Sequence, residues 1–486
     1  MSSPLLLGID EGTTAVKVAL YDSQLAPIAR ARRPLQVVHP QPGWVEQDAE
    51  LILDAVVDAV AEVLERADGR EVLAAGLDHQ GESVLAWEAG GRALTPVIGW
   101  QDKRQQTLLQ RIGERAVERS GLPLDPYFSA AKLTWLLEND HAVQRARDEG
   151  SLRLGTIDAF LSDRLGARFA TDLSTASRTQ LLAVGGRDWD EQLLSAFGLR
   201  REWLPSLQPS LGALGELRHE RWSVPLALTA QLVDQQAALA GSGAVAAGEL
   251  KATYGTGVFV LGRTGEPMQH GRLLPTVAWA LPDPTGAIGE IAHALDGGVF
   301  AAGSLLDWLA AGLGLAEDAA GLAAIAAGVG DSAGVVVLPA LAGLGAPWWR
   351  PDAHGVIAGL HAGVRPAHVA RAALEAIAWR VADIVESIGE TVALHSLRVD
   401  GGLTADATLL QIQADAVGLD LIVGPPDTTV LGAALLAGVG AGLFASVGDA
   451  AGHLPRGRVV APRADASERS PQRERWRAFV QAAASL

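Results

Sequence analysis

Two short segments of the chain combine glycine with threonine in the manner of a phosphate-binding turn. Residues 12–14 read Gly-Thr-Thr and residues 254–257 read Tyr-Gly-Thr-Gly, and apolar runs on either side predict flanking strands. Glycine lets the backbone approach an anion closely, while threonine hydroxyls and backbone N–H groups donate to phosphate oxygens. Asp10 ends the strand before the first turn and is of a type that holds divalent cations. The pattern predicts two anion-binding turns, although an ordinary hairpin with a polar tip has the same local sequence.

Polar side chains also follow three other apolar runs of the sequence. Residues 78–82 read Asp-His-Gln-Gly-Glu after one predicted strand, Trp100 ends a second, and Asp234 and Gln235 follow a third. Because α/β proteins bind ligands at strand ends, these residues are candidates for a ligand site. Simpler interpretations exist: a solvated loop for the first two, and an acid at a helix start for Asp234. Tyr127, on a proline-containing loop, has the simpler interpretation of a packing residue with a solvated hydroxyl.

The predicted secondary structure places both glycine–threonine turns in strand–turn–strand units about half a chain apart. This repetition suggests duplicated halves, each with one phosphate-binding turn. Helices are predicted at 49–67, 156–165, 367–386 and 405–418, and strands at 72–77, 83–87, 96–100, 335–338 and 397–400. We expect the strand at 83–87 to return alongside the strand at 72–77. We expect residues 456–475 to form a charged surface tail before a short last helix.

The composition of the chain excludes several classes of function. With 486 residues, the chain is too long for one core, so two or more domains are expected. The formal net charge of −17 and the lack of a basic cluster argue against nucleic acid and anionic membranes as partners. The absence of cysteine excludes disulfides, thiolate catalysis and cysteine-ligated metal sites.

Two apolar segments bear on the location of the protein. Lysine and arginine are missing before Leu5, and the apolar run there is too short for a signal peptide, so we expect a cytoplasmic protein. Residues 430–448 are uncharged over nearly a membrane-spanning length. Because this segment is mostly glycine and alanine and is flanked by Asp427 and Asp449, it predicts a buried helix and turn instead.

The motifs taken together resemble the FGGY family of carbohydrate kinases, and within that family the glycerol kinases most. The similarity extends over nearly the whole chain, and the order and spacing of the motifs make it more specific than any single motif. The motifs are GIDEGTT at 8–14, PGWVEQD at 42–48, WQDKR at 100–104, GLPLDPYFSAAKLTWLL from 121, GTIDAFL from 155, TDLSTASRT from 171, DQQAAL from 234, TYGTG from 253, LPALAGLGAPWW from 338, ARAALEAIA from 370, VDGGLTADATLLQIQAD from 399 and LGAALLAG from 431.

This resemblance implies an α/β fold with two RNase H-like domains of the actin-like ATPase type and a cleft between them. The implied domains are residues 1–242, with the acceptor site and the first phosphate turn, and residues 243–486, which bind nucleotide. The implied reaction transfers the γ-phosphoryl group of ATP to a primary hydroxyl of a small polyol or sugar, with Mg²⁺ as cofactor. The implied partners are a small-molecule substrate and, as in other family members, further copies of the chain in a dimer or tetramer.

The resemblance also implies a role for each candidate residue. Asp234 corresponds to the general base that takes the hydroxyl proton, and Asp10 and Asp234 correspond to the Mg²⁺ site. The implied ATP-binding residues are Gly12, Thr13, Thr14, Thr256, Gly257, Gly303, Gly402 and Asp406. The implied acceptor-binding residues are Gln80, Gly81, Glu82, Trp100, Tyr127, Asp234 and Gln235.

The chain departs from the glycerol kinase pattern within three motifs. Gly81 stands where those enzymes have an arginine, which removes up to five donors and is expected to open space for a larger polyol or a four- to five-carbon ketose. Lys103 or His79 is then a candidate for the missing donor. Glu11 replaces a glutamine and is expected to add negative charge near phosphate. Asp406 replaces an asparagine near the adenine and is expected to alter base recognition.

Three other functions remain open. The first is a kinase of a ketopentose such as xylulose or ribulose. The second is an actin-like ATPase that couples nucleotide to a protein partner, against which the retention of Asp234 and Gln235 argues. The third is a catalytically weak relative with a regulatory role, which the changes at Gly81 and Asp406 favour. Stimulation of ATP turnover by a polyol separates a small-molecule kinase from the other two classes.

Overall fold

The computed structural model describes residues 3–484, so the outermost residues of the two predicted domain ranges, 1–2 and 485–486, lie outside the described part of the chain. In chain order the strands are β1 (Leu5–Glu11), β2 (Ala15–Tyr21), β3 (Pro27–Pro34), β4 (Glu46–Gln47), β5 (Val72–His79), β6 (Val84–Glu88), β7 (Val97–Ile98), β8 (Leu152–Thr156), β9 (Ala170–Asp172), β10 (Ser206–Gln208), β11 (Leu211–Leu217), β12 (Leu226–Val233), β13 (Glu249–Tyr254), β14 (Val258–Thr264), β15 (Leu274–Pro282), β16 (Ile288–Val299), β17 (Val336–Leu338), β18 (Val356–Ala358), β19 (Ser396–Asp400), β20 (Leu421–Val423) and β21 (Arg458–Val460). The α-helices are α1 (Ala49–Glu65), α2 (Arg115–Ser120), α3 (Ser129–Asn139), α4 (His141–Glu149), α5 (Ile157–Arg164), α6 (Leu173–Ala176), α7 (Glu191–Phe197), α8 (Asp234–Ser242), α9 (Gly303–Asp307), α10 (Ala319–Ala327), α11 (Pro366–Gly389), α12 (Ala407–Val417), α13 (Thr428–Gly440), α14 (Val447–Ala451) and α15 (Ala466–Ala483).

The first half of the chain is built on a six-stranded sheet in the order β11-β12-β5-β1-β2-β3. Strand β5 pairs in parallel with both β1 and β12, while β2 and β3 continue from β1 as antiparallel strands. Every residue of β1 is buried, which fits its uninterrupted apolar sequence before Asp10. The predicted hairpin at the start of the chain is confirmed as β1 and β2.

The second half repeats this arrangement in a seven-stranded sheet, in the order β15-β16-β14-β13-β19-β20-β21. Here β13 and β14 form the antiparallel hairpin, and β19 pairs in parallel with both β13 and β20. The strand order β3-β2-β1-β5-β12 of the first sheet thus corresponds to β16-β14-β13-β19-β20 of the second. This correspondence confirms the predicted α/β fold of two RNase H-like halves, and places each glycine–threonine turn at the tip of the equivalent hairpin.

A second, smaller sheet in the first half corrects one sequence prediction. Strand β6 does not return alongside β5 but pairs with β7 and β8 in a four-stranded sheet of order β4-β7-β6-β8. The reversal of chain direction occurs at Glu82, which has a positive φ of 61°, and it carries β6 away from the main sheet. Residues 80–83 therefore leave the sheet edge as a turn and do not form a hairpin tip.

Helices α8 and α13 connect the two halves. Helix α13 comes from the second half of the sequence but packs on β1, β5 and β12 of the first sheet, while α8 contacts β13, β14 and α13. The two helices cross where both have a glycine: a Cβ on Gly241 would lie 1.9 Å from Thr428 O, and one on Gly432 would lie 1.8 Å from Ala237 O. Small residues are therefore needed at this crossing, and the glycine-rich sequence of α13 reflects close helix packing.

The apolar segment 430–448 is confirmed as a buried helix and turn, since α13 contains most of it. Among the residues that the structure describes, no helix is both long and apolar enough to cross a membrane. The predicted surface tail at 456–475 is wrong in part, because β21 joins the second sheet and α15 already begins at Ala466. Trp476 and Val480 on α15 are buried against the hydrophobic core of the second half of the molecule. Burial of these apolar side chains on one face explains why this charged segment is helical.

Candidate active site

The carboxyl ends of three parallel strands bring acidic side chains to one edge of the first sheet. Asp10 on β1 is in register with Asp78 on β5, and Val233 at the end of β12 is in register with His79. Asp234 follows directly as the first residue of α8. Because neighbouring parallel strands end at a common edge, Asp10, Asp78 and Asp234 lie together there.

Burial and mutual repulsion set the proton affinity of these three acids. Burial raises the pKa of Asp10, against the opposing charge of Lys17, whose Nζ lies 3.6 Å from Asp10 Oδ2. Burial and the charge of Asp10 raise the pKa of Asp78 well above its usual range. Burial and the charge of Asp10 also raise the pKa of Asp234 to about 7. An acid with a pKa near neutrality is well suited to take up a proton in the operating range of most enzymes.

The same acids fit a divalent cation. Both carboxylate oxygens of Asp78 are buried without a hydrogen-bond partner, next to the carboxylate of Asp10. Mg²⁺ is usually held by one or two carboxylates together with water and substrate phosphates. Within residues 3–484, no group of three or more acidic or histidine side chains forms a metal cage by itself. A cation at this edge therefore needs phosphate oxygens as further ligands, which is the usual arrangement for Mg²⁺ bound with a nucleotide.

A cavity of about 80 Å³ lies beside Asp234, between the two halves of the molecule. Every residue predicted to bind the acceptor lines it: Gln80, Gly81, Glu82, Trp100, Tyr127, Asp234 and Gln235. Thr13 from the first turn also lines the cavity. Phe259 and Leu261 on β14 and Asp296 on β16 form the wall contributed by the second half. The structure thus gathers residues that are more than 150 positions apart in the sequence into one small polar site.

Hydrogen bonds tie this cavity to the first phosphate turn. Trp100 Nε1 donates to Thr13 Oγ1 at 3.0 Å, and the Trp100 ring contacts Tyr127 edge-on at a centroid distance of 5.7 Å. Gln235 Oε1 accepts from Lys251 Nζ at 2.8 Å, which links α8 to β13 of the second sheet. Gly12 and Thr14 lie in the same turn as Thr13, and Thr14 is exposed. The acceptor site and the first turn are therefore parts of one structure.

Glu11 is held by a hydrogen bond inside the fold. It is fully buried on the side of β1 away from Asp10, and its Oε1 accepts from Gln80 Nε2 at 2.9 Å. Burial raises the pKa of Glu11 well above its usual range. The Glu11 side chain thus forms part of a hydrogen-bonded pair with Gln80, and the negative charge near phosphate stays a prediction.

Gly81 lines the cavity next to Val233. An ideal Cβ on Gly81 would lie 2.9 Å from Val233 Cγ1, so the valine limits the space directly beside this glycine, and the preference for a larger acceptor stays a prediction. Neither predicted replacement donor reaches the cavity. His79 is buried and contacts Thr175 Oγ1 at 2.9 Å, and Lys103 is exposed and does not line the cavity.

Arg178, which the sequence analysis did not single out, supplies a guanidinium to the cavity instead. It lies in the TDLSTASRT segment just after α6, and its Nε donates to Glu82 Oε1 at 2.7 Å. Arg178 Nη2 also lies 3.0 Å from Asp296 Oδ2 on β16. Burial raises the pKa of both Glu82 and Asp296, and the charge of Arg178 opposes that rise. The sequence offers only a single arginine in this segment as a signal, so geometry was needed to find it.

The second glycine–threonine turn is held against the start of α9. Ala302 N and Ser304 N both donate to Thr256 O, at 3.0 and 3.1 Å. Glycines allow this contact, since a Cβ on Gly257 would lie 2.5 Å from Val299 O and one on Gly303 would lie 2.7 Å from Gly255 O. The Thr256 side chain is exposed at the tip. Thr256, Gly257 and Gly303 are thus brought together, and the exposed Thr256 hydroxyl is available to an anion.

Gly402 and Asp406 follow the end of β19, next to the base of the same turn. A Cβ on the neighbouring Gly401 would lie 2.3 Å from Tyr254 O, whereas no atom lies within 4 Å of the corresponding position on Gly402. Asp406 caps α12, its Oδ1 accepting from Thr408 N at 2.8 Å. The space beside the Gly402 backbone is therefore open.

The two turns are connected through the start of α13. Asp427, which precedes the helix, lies 3.6 Å from Lys17 Nζ on β2 and accepts from Arg30 Nη1 at 3.0 Å. Thr428 Oγ1, the first residue of α13, donates to Asp400 at the end of β19. Lys17, which sequence reasoning did not single out, thus lies between Asp10 and the end of the second sheet, where it is available to an anion between the two halves.

Known proteins of the same arrangement are kinases. Residues 5–241 match the N-terminal domain and residues 250–441 the C-terminal domain of the FGGY family of carbohydrate kinases. A glycerol kinase of Geobacter sp. (strain M21) is 42% identical over 90% of each chain, and one of Rhodospirillum rubrum is 38% identical over 99% of each chain.

Solved structures agree with this relationship. The crystal structure of Plasmodium falciparum glycerol kinase with ADP superimposes with a TM-score of 0.92 at 28% identity, covering 99% of this chain and 98% of the other. A xylulose kinase from Lactobacillus acidophilus has the same fold, with a TM-score of 0.88 at 20% identity and coverage of 99% and 97%. With both family domains matched in order and relatives near 40% identity over almost its full length, the chain belongs to the FGGY family of carbohydrate kinases.

Proposed function

We propose that the protein transfers the γ-phosphoryl group of ATP to a primary hydroxyl of a small uncharged polyol, with glycerol as the first candidate. The observation that carries this proposal is the position of Asp234, with a pKa raised to about 7, in a small polar cavity that also contains Thr13 of the first phosphate turn. The cavity is small, at about 80 Å³, which favours a short polyol as the acceptor.

In this proposal Asp234 is the general base. The acceptor hydroxyl binds within reach of the Asp234 carboxylate, its oxygen forms a bond to the γ-phosphorus, and its proton passes to Asp234. The bond between the γ-phosphorus and the β–γ bridging oxygen breaks, and ADP leaves. Because phosphoryl transfer involves little covalent chemistry by the protein, positioning and electrostatic stabilisation account for most of the catalysis.

The two glycine–threonine turns provide that stabilisation. Thr13, Thr14 and Gly12 on one side and Thr256 and Gly257 on the other present N–H and hydroxyl donors to the triphosphate. Gly303, Gly402 and Asp406 then bound the adenosine. Asp10 and Asp234 are the proposed Mg²⁺ ligands, and Mg²⁺ when bound neutralises charge on the phosphates.

The closure of the two halves over the site excludes water as a competing acceptor. Nucleic acid and membranes are not needed as partners, and a homodimer or homotetramer remains the expectation for the assembly.

An acceptor panel tests the proposed function. The purified protein is incubated with ATP and Mg²⁺, and ADP release is followed with glycerol, tetritols, pentitols, xylulose, ribulose and gluconate. We expect the highest kcat/KM with glycerol or another short polyol. A clear preference for a ketopentose would reassign the acceptor, and ADP release that no acceptor stimulates would remove the kinase proposal for small molecules.

A further inference from the structure

Two buried polar atoms in the wall of the acceptor cavity have no partner. Arg178 is 4% exposed and Asp296 is 6% exposed, and both line the cavity. Arg178 uses Nε for Glu82 and Nη2 for Asp296 Oδ2, but its Nη1 is buried without a hydrogen-bond partner. Asp296 Oδ1 is likewise buried and unpartnered. One donor and one acceptor of the same ion pair are therefore both buried and both unsatisfied.

An alcohol is the simplest group that satisfies both atoms. A hydroxyl accepts through its lone pairs and donates through its hydrogen, so one hydroxyl pairs with the guanidinium and the carboxylate at once. Leaving a buried donor or acceptor unpaired costs about 1–3 kcal/mol, and more for a charged group, so a ligand that supplies the hydroxyl gains affinity.

We propose that a second hydroxyl of the acceptor, distinct from the one that is phosphorylated, accepts a hydrogen bond from Arg178 Nη1 and donates one to Asp296 Oδ1. This inference rests on the proposed function, and it makes Arg178 the residue that supplies the guanidinium missing at Gly81. The acceptor therefore needs at least two hydroxyl groups, one at Asp234 and one at the Arg178–Asp296 pair.

The charges of the cavity wall limit the chemical class of the acceptor further. One guanidinium lies between two carboxylates, those of Glu82 and Asp296, and Asp234 adds a third acid to the same cavity. Lys251 and Lys132 lie behind this wall and are not among the residues that line the cavity, and burial lowers the pKa of both. A carboxylate or phosphate on the acceptor would therefore face three acids and one cation in the lining, and would be repelled. The wall therefore selects an uncharged polyol over a sugar acid.

Deoxy analogues test the hydroxyl directly. Glycerol is compared with propane-1,2-diol and propane-1,3-diol, each of which keeps a primary hydroxyl but lacks one other hydroxyl. For the wild type we expect kcat/KM to fall by about 10- to 100-fold for the diol that lacks the recognised hydroxyl, the range for a hydrogen bond to a charged group. If the panel selects another acceptor, its own deoxy analogues replace the two diols.

Arg178→Lys and Asp296→Asn provide the matching protein variants. Arg178→Lys keeps the charge but loses the planar fork, so the acceptor KM should rise and the preference over the deoxy analogue should shrink to within about threefold, while the KM for ATP changes little. Asp296→Asn removes one negative charge and the carboxylate oxygen that accepts the hydrogen bond. It should therefore weaken the binding of glycerol and raise the turnover of gluconate relative to that of glycerol. Arg380→Lys is the matched control, because Arg380 is equally buried and paired with Asp383 outside the site.

The outcomes separate this inference from the proposed function. A wild-type enzyme that phosphorylates glycerol and both diols equally, or an Arg178→Lys variant that keeps the full preference for glycerol, would overturn the inference and leave the kinase in place. If Arg178→Lys does not fold, Asp296→Asn decides by the same comparison. Absence of acceptor-stimulated ADP release in the wild type would instead remove the proposed function.

Discussion

The side chain of Val233 occupies the place that a side chain at residue 81 would need, since an ideal Cβ on Gly81 would lie 2.9 Å from Val233 Cγ1. The two residues come from different strand ends, β12 and the turn after β5, yet they act as one steric unit in the cavity wall. Val233 therefore bounds the acceptor cavity on the side of Gly81, and both residues line it.

Val233→Ala should broaden acceptor use. The shortened side chain enlarges the cavity, so kcat/KM for tetritols and ketopentoses should rise relative to glycerol by about tenfold, within the range for one or two methylene groups in an apolar pocket. The measurement is ADP release with the acceptor panel. Val260→Ala, a buried change on β14 that does not line the cavity, is the control and should lower stability without changing the acceptor ratio.

Gly81→Ala tests the same contact from the other side. In the wild type the new Cβ meets Val233, so the variant should lose thermal stability and acceptor affinity together. In the Val233→Ala background the same substitution should be nearly neutral. Additive effects of the two changes, measured as unfolding midpoints and acceptor KM, would show that the residues are independent.

Asp234→Asn should abolish most turnover while leaving nucleotide binding nearly intact. The amide keeps the shape of the side chain but cannot take the hydroxyl proton, so kcat should fall by about 10²- to 10⁴-fold. Steady-state rates and ATP binding by calorimetry give the two readouts. Asp54→Asn, at an exposed position of α1, is the control. Unchanged turnover in Asp234→Asn would move the base to another residue.

Thr256→Val should weaken the binding of ATP more than the binding of the acceptor. Valine has the same shape but lacks the hydroxyl at the exposed tip of the second turn, so the KM for ATP should rise about tenfold, as for a lost hydrogen bond to a charged group. The backbone contacts of Thr256 O with Ala302 and Ser304 are unaffected by the substitution. Thr107→Val, at an exposed position outside both turns, is the control. An equal rise in the KM for ATP and in the KM for the acceptor would argue against a phosphate-binding role of Thr256.

The sequence predicted the strand–turn–strand units and the gathering of polar residues at strand ends because both depend on local pattern. Asp10, Asp234 and Thr256 were found in this way, and the family resemblance added Gly303 and Gly402. Pattern did not reveal Arg178, because its role depends on Glu82 and Asp296, which are distant from it in the sequence. Pattern also misjudged the strand at 83–87, where the deciding fact is the pairing of β6 with β8 across the fold. The contact of Gly81 with Val233 and the hydrogen bond of Glu11 with Gln80 likewise join residues that no local pattern connects.

Lys132→Met should flatten part of the dependence of stability on pH. Lys132 is fully buried on α3, where burial lowers its pKa to about 7 while its Nζ donates to the backbone oxygens of Tyr127 and Phe128. In the unfolded chain the lysine keeps its proton up to about pH 10.4. Between about pH 7 and pH 10.4 the folded state therefore binds fewer protons than the unfolded state. Because of this difference, the contribution of Lys132 to the free energy of unfolding rises with pH across that range.

Urea unfolding at pH 7.5 and 9.5 measures this effect. The free energy of unfolding of the wild type should gain about 2 kcal/mol relative to Lys132→Met between the two pH values. Lys103→Met, at an exposed lysine, is the control and should not change the slope. If the free energy of unfolding changes equally with pH in the wild type and in Lys132→Met, then Lys132 is protonated in the folded protein at both pH values, which contradicts the prediction.

Gly432→Ala should destabilise the protein even though alanine is the better helix former by about 1 kcal/mol. Its Cβ would lie 1.8 Å from Ala237 O, so α8 and α13 must separate at the point where they connect the two halves. The expected net loss is about 2 kcal/mol or more, in the range of overpacked cores. Gly113→Ala is the matched control, because no atom lies within 4 Å of its Cβ position.

Since α13 also positions Thr428 and Asp427 beside Asp400 and Lys17, Gly432→Ala should raise the KM for ATP as well as lower the unfolding midpoint. A variant that loses stability but binds ATP normally would show that the helix crossing supports the fold without setting the distance between the two phosphate turns.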